Sequence, residues 1–137
     1  MAVKFIDTNP LIRYFTRDDK EKAAKVLALL QRVERGEEQL TTSPMVIFET
    51  VFTLQHTYKV PRDEIKRLIE TVIDLPGIKL PLKSLYRHAL DLYVSYSNFS
   101  FVDAYNAAYM INFDVTELYS YDDDYDSLSP LSRSEPE

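Results

Sequence analysis

Val3-Lys4-Phe5-Ile6-Asp7-Thr8-Asn9-Pro10, leading into Leu11 to Phe15, is the stretch that sets the fold class. Val3 to Ile6 is a short strand-like run that ends on an acid. Thr8-Asn9-Pro10 then reads as a helix start, a polar cap with Pro at the first helical position. A strand that feeds directly into a helix, with no hairpin turn between them, opens a crossover connection rather than a β-meander.

The pattern repeats along the chain. Ala23, Val26, Leu27, Leu30 and Val33 recur at helical spacing between Asp19 and Arg35, and Gly36 supplies the stop. Gln39 to Thr42 is a second strand, and Ser43-Pro44 opens a helix to about Tyr58. Pro61 opens another, closed by Pro76-Gly77. Ile78 to Leu80 is a third strand. A further helix follows, with Leu82, Leu85, Ala89, Leu92 and Tyr96 on one face. Ser100 caps a helix to about Phe113, Glu117 to Tyr121 is a fourth strand, and Leu131 to Arg133 a very short fifth. Strands alternating with helices predict an α/β fold, a short central parallel sheet of four to five strands covered on both faces by helices. With 137 residues and no linker, the chain reads as one domain, 1–137, with a loosely held end over 127–137.

Composition excludes several chemistries. There is no Cys, so no thiol nucleophile, disulfide or thiolate-held metal. The two glycines, Gly36 and Gly77, cannot write a dinucleotide turn or a P-loop. The net charge of −6 argues at first against nucleic acid, but it is unevenly spread. Met1 to Phe113 holds 14 acids and 15 bases, whereas Asp114 to Glu137 holds 8 acids and only Arg133. Met1 to Asp7 is too short and ends too acidic for a secretory leader. No apolar run approaches the roughly 18 residues of a membrane span. A cytoplasmic protein with no membrane association is the expectation.

Three isolated acids carry the functional reading. Asp7 is the only charge between Lys4 and Arg13, Glu49 the only one from Pro44 to Tyr58, and Asp103 the only one between Asp91 and Asp114. On a helix, Glu49 faces Met45, Val46, Phe52 and Thr53, and Asp103 faces Asn106, Ala107 and Met110. A buried carboxylate with no basic partner nearby either takes a proton or acquires a cation, and a divalent metal serving several acids would answer for all of them. Each acid also has a plainer role open to it. Asp7 can cap the helix beside it, Glu49 can sit on the rim of a less buried helix, and Ser100 to Asp103 is a capping box. Asp122 follows the fourth strand as Asp7 follows the first, and ligands of open parallel sheets bind beyond the carboxyl ends of strands. Asp124 and Asp126 are its possible substitutes, ranked below it.

The four segments resemble the motifs of PIN domains. Phe5-Ile6-Asp7-Thr8-Asn9 is similar to the first, and Ser43-Pro44-Met45-Val46-Ile47-Phe48-Glu49 to the second. Phe101-Val102-Asp103-Ala104 is similar to the third, and Ser120-Tyr121-Asp122-Asp123-Asp124-Tyr125 to the fourth. The acids are separated by 42, 54 and 19 residues, which suits a compact PIN domain of the VapC toxin type. The chain departs from the family pattern at Ser129-Pro130, where a Gly often precedes the closing strand.

The resemblance implies a three-layer α/β/α sandwich and a metal-dependent endoribonuclease. It implies Asp7, Glu49, Asp103 and Asp122 as catalytic metal-binding residues for Mg²⁺ or Mn²⁺, hard cations that favour oxygen ligands. One ion would activate a water, and a second, roughly 3.5–4 Å away, would stabilise the leaving oxygen. Thr8, Asn9 and Ser120 are expected to orient ligands or waters, while His56 and His88 are expected to be structural. Arg13 and Arg17 are the better placed phosphate contacts. Lys20, Lys22, Lys25, Arg32, Arg35, Arg62, Lys66 and Arg67 fit solvated helix faces more readily. An RNA substrate, a cognate antitoxin and a homodimer are the partners implied. Two other readings stay open: a non-catalytic RNA- or protein-binding module, and a phosphatase of another α/β class. Against the latter, Asn9 stands where the second acid of an Asp-x-Asp motif would be.

Overall fold

A computed structural model describes residues 1–137. The chain is an α/β protein with six α-helices and parallel strands, packed as two compact units, Met1–Lys83 and Ser84–Glu137.

The first unit runs β1 (Val3–Phe5), α1 (Thr8–Thr16), α2 (Lys20–Glu34), β2 (Gln39–Thr41), α3 (Pro44–His56) and α4 (Arg62–Ile73). β1 pairs with β2 in parallel, Val3 opposite Gln39 and Phe5 opposite Thr41. α1 begins two residues earlier than its sequence suggests: Asp7 is the cap and Pro10 the third helical residue. Pro is tolerated there because the first four helical N–H groups have no partner within the helix. α2 ends in a Schellman motif. Gly36, at φ +79°, donates to the Val33 carbonyl at 3.1 Å, and Glu37 donates to that of Arg32 at 2.9 Å.

Ile78 to Leu80 does not become a full strand. Ile78 bridges Leu40 in parallel, with Leu40 N–H on the Gly77 carbonyl at 2.9 Å and Lys79 N–H on that of Leu40 at 2.7 Å. The Lys79 carbonyl is then taken by the Thr41 hydroxyl at 2.6 Å, and Pro81 has no N–H with which to continue the ladder. Gly77 is required by space: a Cβ there would meet Val33 Cγ1 at 2.6 Å. The core of this unit includes Val51, Leu54 and Ile65, all fully buried. Truncating such a residue to Ala costs about 2–5 kcal/mol.

The second unit holds α5 (Lys83–Ser95), α6 (Phe101–Asn112), β3 (Glu117–Tyr119), a 3₁₀ helix over Asp123–Ser127 and β4 (Ser132–Ser134). β3 pairs with β4 in parallel, Glu117 opposite Ser132 and Tyr119 opposite Ser134. β3 stops short of Tyr121 because the Ser120 hydroxyl turns back to accept the Asp122 N–H at 2.9 Å. β4 lies one residue later than the expected Leu131–Arg133, within the stretch expected to be loosely held, where Leu128 is buried. Each unit therefore holds a short parallel ladder; a four- to five-stranded sheet is not seen within either. No helix is long and apolar enough to cross a membrane.

Candidate metal centre

In the first unit the ends of β1 and β2 are fastened together just where the acids begin. Ile6 N–H donates to the Thr41 carbonyl at 2.9 Å, and the buried Thr42 hydroxyl donates to the Ile6 carbonyl at 2.7 Å. Asp7 follows Ile6 and caps α1, accepting the Thr8 N–H at 2.8 Å. Ser43 follows Thr42 and caps α3, accepting the Val46 N–H at 3.3 Å. Glu49 stands on the second turn of α3. Asp7, Thr8, Asn9, Arg13, Glu49 and Tyr58 line one cleft of about 280 Å³.

The acids of this cleft are not buried, which for Glu49 is contrary to the expectation from its apolar neighbours. Asp7 and Glu49 are exposed, and so are Met45 and Phe52 on the Glu49 face of α3. α3 instead buries Ile47, Val51 and Leu54. A helix that is apolar nearly all round gives no periodicity from which to read the inward face. The rim position considered for Glu49 is the one it occupies, and Asp7 caps its helix as the plainer reading had it. Capping does not exclude metal binding, because a carboxylate offers about four acceptor sites on two oxygens.

Arg13 reaches into the same cleft. Its Nη1 donates to Asp18 Oδ2 at 2.6 Å, and the Tyr58 hydroxyl donates to that same oxygen at 2.7 Å. The Tyr58 hydrogen bond leads the causes that hold the Asp18 carboxyl below its ordinary 3.8, with the Arg13 charge adding to it. Arg13 Nε and Thr8 Oγ1 are buried and have no hydrogen-bond partner. Arg17 lines a different cleft, with Tyr14 and Lys20.

In the second unit Asp103, Asp122 and Asp124 each bring a carboxylate oxygen within 4.8 Å of the others. Asp103 closes the capping box of α6: its Oδ2 accepts the Ser100 N–H at 3.1 Å, and its own N–H meets the Ser100 hydroxyl at 3.1 Å. Its other oxygen faces the Tyr125 hydroxyl at 3.4 Å, a long contact, and Asn106 Nδ2 supports that hydroxyl at 3.2 Å. Asp122 Oδ1 accepts the Asp124 N–H at 2.9 Å, and Asn98 Nδ2 approaches Asp124 Oδ1 at 3.4 Å. The Asp124 carboxyl lies above its ordinary 3.8. Asn98 pulls it down, but burial and the neighbouring Asp122 and Asp103 together outweigh that pull.

Every hydrogen bond on this acidic cluster comes from a neutral donor: backbone N–H, an amide or a phenol. The nearby guanidinium is engaged elsewhere. Arg133 forks onto Asp126 at 3.0 and 3.1 Å and donates to the Ser120 carbonyl at 2.8 Å. Asp126 is therefore a structural partner of Arg133, while Asp124 joins the cluster alongside Asp122. Three converging carboxylates without a neutralising cation form a hard-oxygen donor set that fits a divalent ion.

The remaining candidates are placed plainly. His56 packs its ring on Phe52 at 4.4 Å, and His88 Nδ1 lies 2.8 Å from Asn112 Nδ2. Lys25, Arg32, Arg35, Lys66 and Arg67 are each ion-paired to a glutamate close in sequence. Sequence reading missed Asp18, Tyr58, Asn98 and Tyr125. Tyr58 pairs with a residue 40 positions away, and nothing local announces it.

The acids placed here by the start of α1, by α3, by the capping box of α6 and by the Asp-rich turn are those of the four motif-like segments. The family model for the PIN domain matches residues 4–129, and the chain belongs to that family. It is similar to the VapC ribonuclease of Aquifex aeolicus (strain VF5), 26% identical over 119 residues, a match that covers 87% of each chain.

Proposed function

We propose that this protein is a Mg²⁺- or Mn²⁺-dependent endoribonuclease of the VapC type, the toxin of a toxin–antitoxin pair. The observation that carries the reading is that all four motif acids of the family stand in convergent settings. Asp7 and Glu49 line one cleft, and Asp103 and Asp122 meet Asp124 in a cluster that no Lys or Arg side chain bonds. The family match runs unbroken across both units, which supports taking 1–137 as one PIN domain with a four- to five-stranded central sheet.

Asp7, Glu49, Asp103 and Asp122 would be metal ligands, with Asp124 as a further one. A bound divalent ion supplies an activated water and charge stabilisation for phosphodiester hydrolysis. The chain's own residues prepare for this. The Thr42–Ile6 bond and the Ser43 cap fix the start of α1 and of α3, and so the reach of Asp7 and Glu49. Ser100, Tyr125 and Ser120 hold Asp103 and Asp122 in the orientations their caps require. Thr8 and Asn9 line the cleft and would orient bound ligands. The same reading includes a cytoplasmic location, a cognate antitoxin and a homodimer, expectations of the VapC class.

Incubation with structured RNA and with a small phosphate monoester, each in Mn²⁺, tests this reading. RNA cleavage that stops with EDTA supports it. Monoester turnover without RNA cleavage would instead favour the phosphatase reading.

A further inference from the structure

We propose that Arg13 binds a phosphodiester group of the RNA beside Asp7 and Glu49, and that Asp18 and Tyr58 are positioning residues that hold its guanidinium there. The inference rests on the ribonuclease reading and adds the residue that would receive the substrate anion.

The donors and acceptors of this cleft do not match one another. Asp7 and Glu49 offer only acceptors when ionised, and Glu49 makes no hydrogen bond or ion pair. Arg13 Nε is a buried donor with no acceptor, and Thr8 Oγ1 is a second buried polar atom without a partner on the same wall. Leaving such a group unpaired costs about 1–3 kcal/mol, which calls for an explanation in a chain whose other buried threonines, Thr42 and Thr50, are bonded. An anion that arrives with a divalent ion answers both sides: the ion takes the carboxylates, and the anion takes the guanidinium. A phosphodiester is such a group, and the planar fork of Arg suits it.

The Arg13 side chain is fixed before any ligand arrives. Nη1 is spent on Asp18, and the Tyr58 hydroxyl, from beyond the end of α3, locks the same Asp18 oxygen. Asn9, one turn before Arg13 on α1, shares its face. A basic residue in the last turn of α1 is favourable for the helix dipole in any case. That accounts for a base at position 13, but not for a guanidinium that lines the cleft with its Nε left unpaired.

The test is binding of a labelled single-stranded RNA, followed by anisotropy in EDTA and again in Ca²⁺ over a range of salt. Arg13→Gln is expected to weaken binding about tenfold and to lower the salt slope by about 0.7, the value for one phosphate on a single strand. Tyr58→Phe keeps the ring and is expected to weaken binding about threefold with the salt slope unchanged, since the charge remains. Arg35→Gln, which breaks only the pair with Glu37, is the control and is expected to leave binding as it was. Unchanged affinity and slope in Arg13→Gln, with a lowered melting temperature, would make the Asp18 pair purely structural and overturn the inference while wild-type RNA cleavage stands. A wild-type protein that neither binds nor cleaves RNA would overturn the ribonuclease reading and this inference with it.

Discussion

The Thr42 hydroxyl donates to the Ile6 carbonyl at 2.7 Å, joining the residue before the α3 cap to the residue before Asp7. Both partners are buried. Thr42→Val preserves shape but leaves the Ile6 carbonyl without that donor, so urea unfolding is expected to show a loss of about 1–3 kcal/mol. A loss near zero would mean that the Ile6 N–H bond to Thr41 suffices to hold the strand end.

Asp103 caps α6 and also belongs to the acidic cluster, and one substitution separates the two roles. Asn retains an oxygen for the Ser100 N–H, so Asp103→Asn is expected to melt within a few degrees of wild type. Mn²⁺ affinity by calorimetry is expected to fall by more than about a hundredfold, beyond what loss of a supporting contact produces. Unchanged Mn²⁺ binding would confine Asp103 to its cap.

Tyr125 reaches Asp103 through its hydroxyl while its ring packs against Phe99, centroids 5.9 Å apart. Tyr125→Phe keeps the ring packing and removes the Asp103 contact, together with the Asn106 bond to the same hydroxyl. Because the Asp103 contact is long, the expected fall in Mn²⁺ affinity is about tenfold, the low end for residues that orient a metal ligand. The electron spin resonance of bound Mn²⁺ checks this without reference to activity.

The raised Asp124 carboxyl gives a pH dependence with a definite sign. A carboxyl whose value rises on folding stabilises the folded chain below its ordinary 3.8, and that contribution is lost as pH climbs through the raised value. Metal-free Asp124→Asn is therefore expected to melt above wild type at neutral pH, with the difference shrinking as pH falls through the raised value toward 3.8. Mn²⁺ is expected to narrow or reverse the gap, since it binds the charged wild-type cluster more tightly. A difference constant with pH would show that the Asp124 charge is not under strain.

Much of this was legible in the sequence because the signals are local. Ser43-Pro44 and Ser100 to Asp103 are caps written in consecutive residues, and α3 and α6 start where they say. The isolated acids stood out against apolar surroundings, yet the burial inferred for Glu49 was wrong, because an all-apolar helix hides which face turns inward. Within Asp122-Asp123-Asp124-Tyr125-Asp126 the choice of partner belongs to three dimensions. Arg133 takes Asp126 and leaves Asp124 to the cluster, a division that no spacing rule distinguishes. The shortened third strand turned on one competing hydroxyl, that of Thr41.

The ribonuclease reading assigns metal-binding roles to Glu49 in the first unit and to Asp103 in the second. It is tested most directly by timing cleavage of a labelled structured RNA in Mn²⁺ by wild type, Glu49→Gln and Asp103→Asn, one acid from each unit. The account predicts cleavage by wild type, none in EDTA, and a fall of about a hundredfold or more in each folded variant. Cleavage at the wild-type rate by either variant would contradict it.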